Sequence, residues 1–280
     1  EVDAGASTSY SNAFAVGTPT VGLRVTTDKG CIHVTTGVVT VNPNPTPVIA
    51  GDNVVCAGEL GVVYTTADNS PANSYSWTVV GGTITAGSTS ASVTVDWGVA
   101  TPGSLVLTET VIATGCTTTT GSYGITIDPA PTADAGSDQQ ICENNGAYTL
   151  LAGASSSNGT IAWTEDGTGS ISAGATTLTP TYTPGASEVG VVTLTMTVTG
   201  AGGCSVTTAV STMSLEIAPE PVASFTVAAV CDGSSSLLDA SGSSVASGSI
   251  VKYEWDLDND LTYEVDAGAS TSYSNAFAVG

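Results

Sequence analysis

The sequence predicts an all-β chain of tandem β-sandwiches, and three observations carry that expectation. No segment sustains a helical period, while Gly, Pro, Thr and Val, each costly inside helices, recur throughout. Short runs alternate apolar with polar residues, the mark of half-buried strands. Proline-rich joints divide the chain into pieces of sandwich size, and those pieces share one arrangement of cysteine and tryptophan.

The strands can be justified in chain order. Tyr75, Trp77 and Val79 alternate with Ser76 and Thr78, and Val93, Val95 and Trp97 alternate with Thr94 and Asp96. Tyr123, Ile125 and Ile127 form a closing strand just before Pro129. Leu194, Met196 and Val198 share one face of a strand whose other face is threonine; Leu215 and Ile217 close the next segment. Val251, Tyr253 and Trp255 point one way while Lys252 and Glu254 point to water. Strands this closely spaced, with Gly, Asn, Ser and Pro between them, read as sandwiches.

The chain also repeats itself. Residues 1–17, EVDAGASTSYSNAFAVG, return letter for letter as residues 264–280, which implies a tandem repeat with a period of 263 residues. On this reading both ends of the sequence lie inside a domain. Stiff joints at Pro43, Pro45 and Pro47, at Pro129 and Pro131, and at Pro219 and Pro221 give the segments 1–44, 45–130, 131–220 and 221–280. Each middle segment has the size of an immunoglobulin-like domain. Residues 221–263 followed by 1–44 of the next copy make a third. The expected architecture is therefore an extended rod of three immunoglobulin-like sandwiches per period, roughly 100–130 Å long.

Cysteine supports the same division. Cys56 and Cys116 are 60 residues apart, Cys142 and Cys204 are 62 apart, and Cys231 lies 63 residues before the Cys31 of a following copy. A tryptophan follows the first cysteine each time, at Trp77, Trp163 and Trp255, and a glycine precedes the second, at Gly30, Gly115 and Gly203. One disulfide per domain is expected: Cys56–Cys116 and Cys142–Cys204 within the chain, and Cys31 and Cys231 each to a neighbouring repeat. Turn residues flank every one of these cysteines, so the expected bond ties an early turn to the last hairpin, and the tryptophans are ordinary core. Closing a loop of about 60 residues restricts the unfolded chain by roughly 4 kcal/mol.

Composition narrows the function. Three basic residues stand against 25 acidic ones, for a net charge of −22. Arg24, Lys29 and Lys252 do not cluster, which argues against nucleic-acid binding and against an anionic membrane surface. No apolar run approaches the roughly 20 residues of a spanning helix, so membrane insertion is not expected. Scarce lysine and arginine suit a surface outside the cell, where trypsin-like proteases find few sites and acidity keeps a long polymer soluble by self-repulsion, and equally a halophilic or marine composition with no specific purpose.

Catalytic residue types are sparse. His33 is the one histidine, and no Cys-x-x-Cys pair exists. Glu165 and Asp166 are adjacent on the chain and read as a turn rather than as carboxylates flanking a bond. Asn158-Gly-Thr160 has the form of a glycosylation sequon and reads as a turn as well. The one constellation with chemistry is Asp256-x-Asp258-x-Asp260, with Asn259 inside it and Glu264 beyond. Alternating carboxylates at positions 1, 3 and 5 of a tight loop supply the hard oxygens that calcium takes. Leu261 occupies the sixth position, where such loops prefer Gly, and position 12 is not Glu. No cofactor is required; Ca2+ is the candidate metal.

Tyr253-Glu-Trp-Asp-Leu-Asp-Asn-Asp260, joined across the repeat to Val21-Gly-Leu-Arg-Val-Thr-Thr-Asp-Lys-Gly-Cys31, resembles the PKD domain. Residues 45–130, with Val55-Cys-Ala-Gly and Tyr75-Ser-Trp-Thr-Val, are similar to the PKD-like modules of Bacteroidetes surface proteins. Residues 131–220, with Ala135-Gly-Ser-Asp-Gln-Gln-Ile-Cys142, resemble another repeat module of those proteins. The resemblance implies a non-enzymatic structural repeat unit of a long extracellular filament, stalk, surface layer or adhesin. Its expected partners are neighbouring copies of the same repeat. The alternative is a module that binds a glycan or another surface.

Overall fold

The computed structural model describes residues 5, 7–67, 70–99, 102–151 and 153–277. The chain is all-β, with one 3-10 turn at Gly202–Cys204 among the described residues. It divides into two compact units: residues 1–130 with 202–204, and residues 131–201 with 205–280.

The first unit opens on the hairpin of β1 (Thr20–Thr26) and β2 (Ile32–Val38). A sandwich follows, made of β3 (Ile49–Ala50), β4 (Val54–Cys56), β5 (Val62–Thr66), β6 (Asn73–Val80), β7 (Gly82–Ala86), β8 (Ser92–Trp97), β9 (Gly103–Val111), β10 (Thr117–Thr119) and β11 (Tyr123–Asp128). One sheet has the order β3-β5-β8-β7. In the other, β9 pairs with β6, β10 and β11, and β4 joins the edge of β11. The alternating apolar residues meet between the sheets, where Tyr64, Val93, Val95 and Trp97 pack with Trp77, Leu105, Leu107, Ile125 and Ile127.

In the second unit, β12 (Thr132–Asp134), β13 (Gln139–Cys142), β14 (Tyr148–Thr149), β15 (Ser155–Ser157), β16 (Gly159–Glu165), β17 (Ser170–Ala173), β18 (Thr181–Thr183), β19 (Gly190–Gly200) and β20 (Thr208–Ala218) form a second sandwich. Its main sheet runs β13-β20-β19-β16, and β14-β18-β17 lies opposite. The core contains Trp163 and Tyr182 with Leu194, Met196, Val198, Leu215 and Ile217. Beyond it, β21 (Thr226–Val227), β22 (Ser235–Asp239), β23 (Tyr253–Trp255), β24 (Val265–Gly268) and β25 (Ser272–Ala276) surround a small core of Leu238, Ala240 and Trp255. All four tryptophans are buried. Val251, expected to share the face of Tyr253, lies outside β23 and is exposed.

One pair of identical sequences adopts two structures. Ser272–Ala276 is strand β25, paired with β22 through Tyr273 opposite Leu238. The same five residues at 9–13 form no strand, and Tyr10 is exposed where Tyr273 is half-buried against the Trp255 core. A strand satisfies its backbone only against a partner, and β22 supplies one to the second copy alone. The β1–β2 hairpin has a related property. Val21, Leu23 and Val25 stand ten, eight and six residues before Cys31, as Leu194, Met196 and Val198 stand before Cys204. The latter three are fully buried, whereas Leu23 is 59% exposed and Val25 51%.

Candidate functional site: cysteine turns and an acidic loop

The six cysteines occupy two kinds of position. Cys56, Cys142 and Cys231 each open a four-residue turn, in which the carbonyl accepts from the N–H of Glu59 at 3.0 Å, Asn145 at 3.2 Å and Ser234 at 2.9 Å. The third residue of each turn has positive φ: Gly58 at 79°, Asn144 at 64° and Gly233 at 74°. Glycine and asparagine are the residues that tolerate this bend, which is why Ala-Gly, Glu-Asn and Asp-Gly follow the three cysteines. Cys31, Cys116 and Cys204 instead lie in the connection ahead of β2, β10 and β20, each preceded by glycine.

The bond formed is Cys56–Cys204, spanning 148 residues with Cα atoms 4.6 Å apart. Cys31, Cys116, Cys142 and Cys231 are free thiols. The expected Cys56–Cys116 and Cys142–Cys204 pairs are not made, and strand direction explains why. β4 runs parallel to β11, with Cys56 opposite Asp128 at the finish of the last strand. Cys116 lies beyond Val111 at the other end of β9, about 30 Å away at roughly 3.3 Å per residue. Likewise β13 runs parallel to β20 and sets Cys142 opposite Ala218, whereas Cys204 precedes Thr208 at the strand's start. Each expected pair sits at opposite ends of one sheet, and a disulfide needs Cα atoms within about 7 Å.

Gly202–Cys204 packs on the backbone of β4 in the first unit. The Gly203 N–H donates to Asp128 Oδ2 at 2.8 Å. A Cβ on Gly203 would stand 2.6 Å from the Val55 carbonyl carbon, so only glycine permits this approach. The Cys204 sulfur lies 3.4 Å from the Asp128 carbonyl, directly before Pro129. Cys116 repeats that placement, with its sulfur 3.9 Å from the carbonyl of Asn42, directly before Pro43.

The acidic loop follows β23. One oxygen each from Asp256, Asp258, Asp260 and Glu264 lie within 4.8 Å of one another. Asp256 organises the bend: Oδ1 accepts from the Asn259 N–H at 2.6 Å and Oδ2 from the Leu261 N–H at 2.9 Å. Desolvation works against its charge, but hydrogen bonds from Leu261, Asn259 and Asp258 prevail and hold its carboxyl below the ordinary value. Glu264 Oε2 accepts from the Leu257 N–H at 2.8 Å, which folds the fourth carboxylate back on the loop. Sequence reasoning placed Glu264 only beyond the constellation; the structure brings it in. Leu261 has φ of 71°, the left-handed bend for which calcium loops use glycine.

The remaining candidates form no part of the acidic loop. His33 is exposed on β2 opposite Val25. Asp166 Oδ1 accepts from the Thr193 N–H at 2.7 Å, which lowers its pKa and pins the turn after Glu165. Asn158 sits in a left-handed turn at φ of 59°. An open depression of about 320 Å³ is lined by Thr65, Thr66, Ser90, Ala91 and Ser92, none of them ionisable.

Residues 42–126 match the family profile of the PKD-like domain. That segment, less than a third of the chain, is similar to the PKD-like domain. No curated protein matches the chain. Among solved structures, a C-terminal 282-residue fragment of intimin, in complex with the intimin-binding domain of the translocated intimin receptor, is similar at 15% identity, with 65% of this chain and 66% of that chain covered and a TM-score of 0.36. Domains EC21–23 of human CDH23 match at 12% identity over 69% and 77%, with a TM-score of 0.34. Immunoglobulin domains 1–5 of Sidekick-1 match at 15% over 79% and 51%, with a TM-score of 0.35.

Proposed function

We propose that the chain is one period of a long extracellular structural protein, a filament, stalk, surface layer or adhesin, whose partners are neighbouring copies of the same 263-residue repeat. The observation that carries this reading is the duplicated segment. Residues 272–276 become a strand where β22 stands beside them, and the identical residues 9–13 have no such neighbour. The apolar face of the β1–β2 hairpin is the matching remainder, and residues 221–263 of a preceding copy are its occupant. A PKD-like domain is typically a non-enzymatic extracellular module, and a disulfide suits an oxidising compartment. No helix among the described residues is long and apolar enough to cross a membrane. Glycan binding is not favoured, because the tryptophans that would stack on a sugar are all buried. Mass-spectrometric sequencing across Gly280 of the parent protein tests the repeat. Thr18-Pro19-Thr20 should follow; a different continuation would overturn it.

Calcium at the acidic loop is a second part of the reading, supported by the four converging carboxylates. Added Ca2+ should raise the unfolding temperature of residues 221–277 and leave the PKD-like domain at 42–126 unchanged. Asp258→Ala should abolish the shift. An equal unfolding temperature with Ca2+ and with chelator would return the loop to a turn held by Asp256 alone.

A further inference from the structure

We infer that each disulfide in this repeat joins consecutive domains rather than closing one, so that every free cysteine of the chain is half of a bond to an adjacent copy. The inference rests on the tandem reading above.

The bond that is present joins a turn-opening cysteine, Cys56, where the last strand of its domain finishes, to a hairpin cysteine, Cys204, of the segment that follows. Cys142 and Cys231 open turns of the same construction. Cys142 also stands opposite Ala218, directly before Pro219, as Cys56 stands opposite Asp128 before Pro129. On the other side, Cys116 holds its sulfur against Asn42 before Pro43, as Cys204 does against Asp128. Cys31 lies in the third hairpin and is exposed.

Extending the rule assigns every partner. Cys142 bonds Cys31 of the following copy, and Cys231 bonds Cys116 of the following copy. Counted through the period, Cys231 and that Cys116 are 148 residues apart, the separation of the Cys56–Cys204 bond. Cys142 and the next Cys31 are 152 apart. Each domain then carries two staples, one to the domain before it and one to the domain after.

The chemistry is thiol oxidation by a small disulfide such as glutathione disulfide. One cysteine thiolate attacks that disulfide, releasing a glutathione thiolate and leaving a mixed disulfide. The partner cysteine thiolate then attacks the protein sulfur and expels the second glutathione. The two cysteines lose two protons and two electrons in total, and the electrons leave with the two glutathione thiols.

The test is a chain of two consecutive periods, oxidised with glutathione disulfide, isolated as a monomer, unfolded, alkylated and mapped without reduction. Four of its twelve cysteines should alkylate: Cys31 and Cys116 of the first copy, and Cys142 and Cys231 of the second. Linked peptides should pair Cys142 with the next Cys31 and Cys231 with the next Cys116. Cys116→Ser in the second copy should free Cys231 of the first and no other cysteine. Cys56–Cys116 and Cys142–Cys204 peptides would overturn the assignment, as would eight alkylated cysteines. Sequencing across Gly280 reports the repeat independently of any cysteine, so failure of the tandem reading is distinguishable from failure of the pairing rule.

Discussion

The Tyr182 hydroxyl donates to Glu188 Oε2 at 2.8 Å beneath the second sandwich's core, and the same carboxylate clamps a turn. Glu188 also accepts from the Gly185 N–H at 2.7 Å and the Thr168 N–H at 2.5 Å, while the Gly169 N–H donates to the phenol oxygen. Tyr182 is fully buried, and burial followed by its hydrogen bond to Glu188 drives its pKa well above the ordinary value. Tyr182→Phe should lower the stability of this sandwich by about 2 kcal/mol, because the buried phenol's hydrogen bond to a charged group is lost. Chemical denaturation followed by Trp163 fluorescence measures it.

The same pair sets a pH dependence. Desolvation opposes the charge on Glu188, but hydrogen bonds from Gly185, Thr168 and Tyr182 outweigh it and hold the pKa below the ordinary 4.5. A carboxylate with a depressed folded pKa stabilises fully above its unfolded value, and the contribution fades as pH falls through the folded one. Stability of residues 131–220 should therefore decline as pH drops below the ordinary carboxylate range. Glu188→Gln should flatten that acid limb, and a limb of unchanged steepness would contradict the assignment.

Gly203 controls the Cys56–Cys204 bond. Gly203→Ala places a methyl against the Val55 backbone and should leave both cysteines open to alkylation in the folded chain. Gly121→Ala, with open space around the added methyl, should leave the bond intact.

Gly51 is a second close approach. Its φ is 151°, and an added Cβ would collide with the Tyr64 ring, which Trp97 Nε1 holds by a 3.1 Å hydrogen bond. Gly51→Ala should cost about 2–3 kcal/mol in the first sandwich, from strain and overpacking together. Equilibrium unfolding read at the tryptophans gives the value.

The strands and core of this chain were legible because alternation is a direct record of burial. Leu194, Met196 and Val198 point inward and the threonines between them do not. The two classes of cysteine turn were legible too, since Gly58, Asn144 and Gly233 announce the bend. Pairing was not. β4 and β13 are three and four residues long, and nothing in so short a strand tells whether it runs with or against the last strand. That direction decides which end of the sheet holds Cys56 and Cys142. Gly203 reads from the sequence as a turn glycine alone; its close approach to the Val55 backbone leaves no mark there. The acidic loop was read from alternation alone; Glu264 joined it through a backbone bond to Leu257 that spacing does not reveal.

Hydrogen exchange at the duplicated segment reports whether an adjacent copy completes the domain. In the 280-residue chain the amides of residues 272–276 should be protected and those of residues 9–13 should exchange at once. In a chain of two periods, residues 9–13 of the second copy coincide with residues 272–276 of the first. That junction should be protected together with the β1–β2 hairpin that follows it, whose Leu23 and Val25 become core. Rapid exchange of the hairpin in the two-period chain would overturn the tandem architecture, because the duplicated segment would then complete nothing.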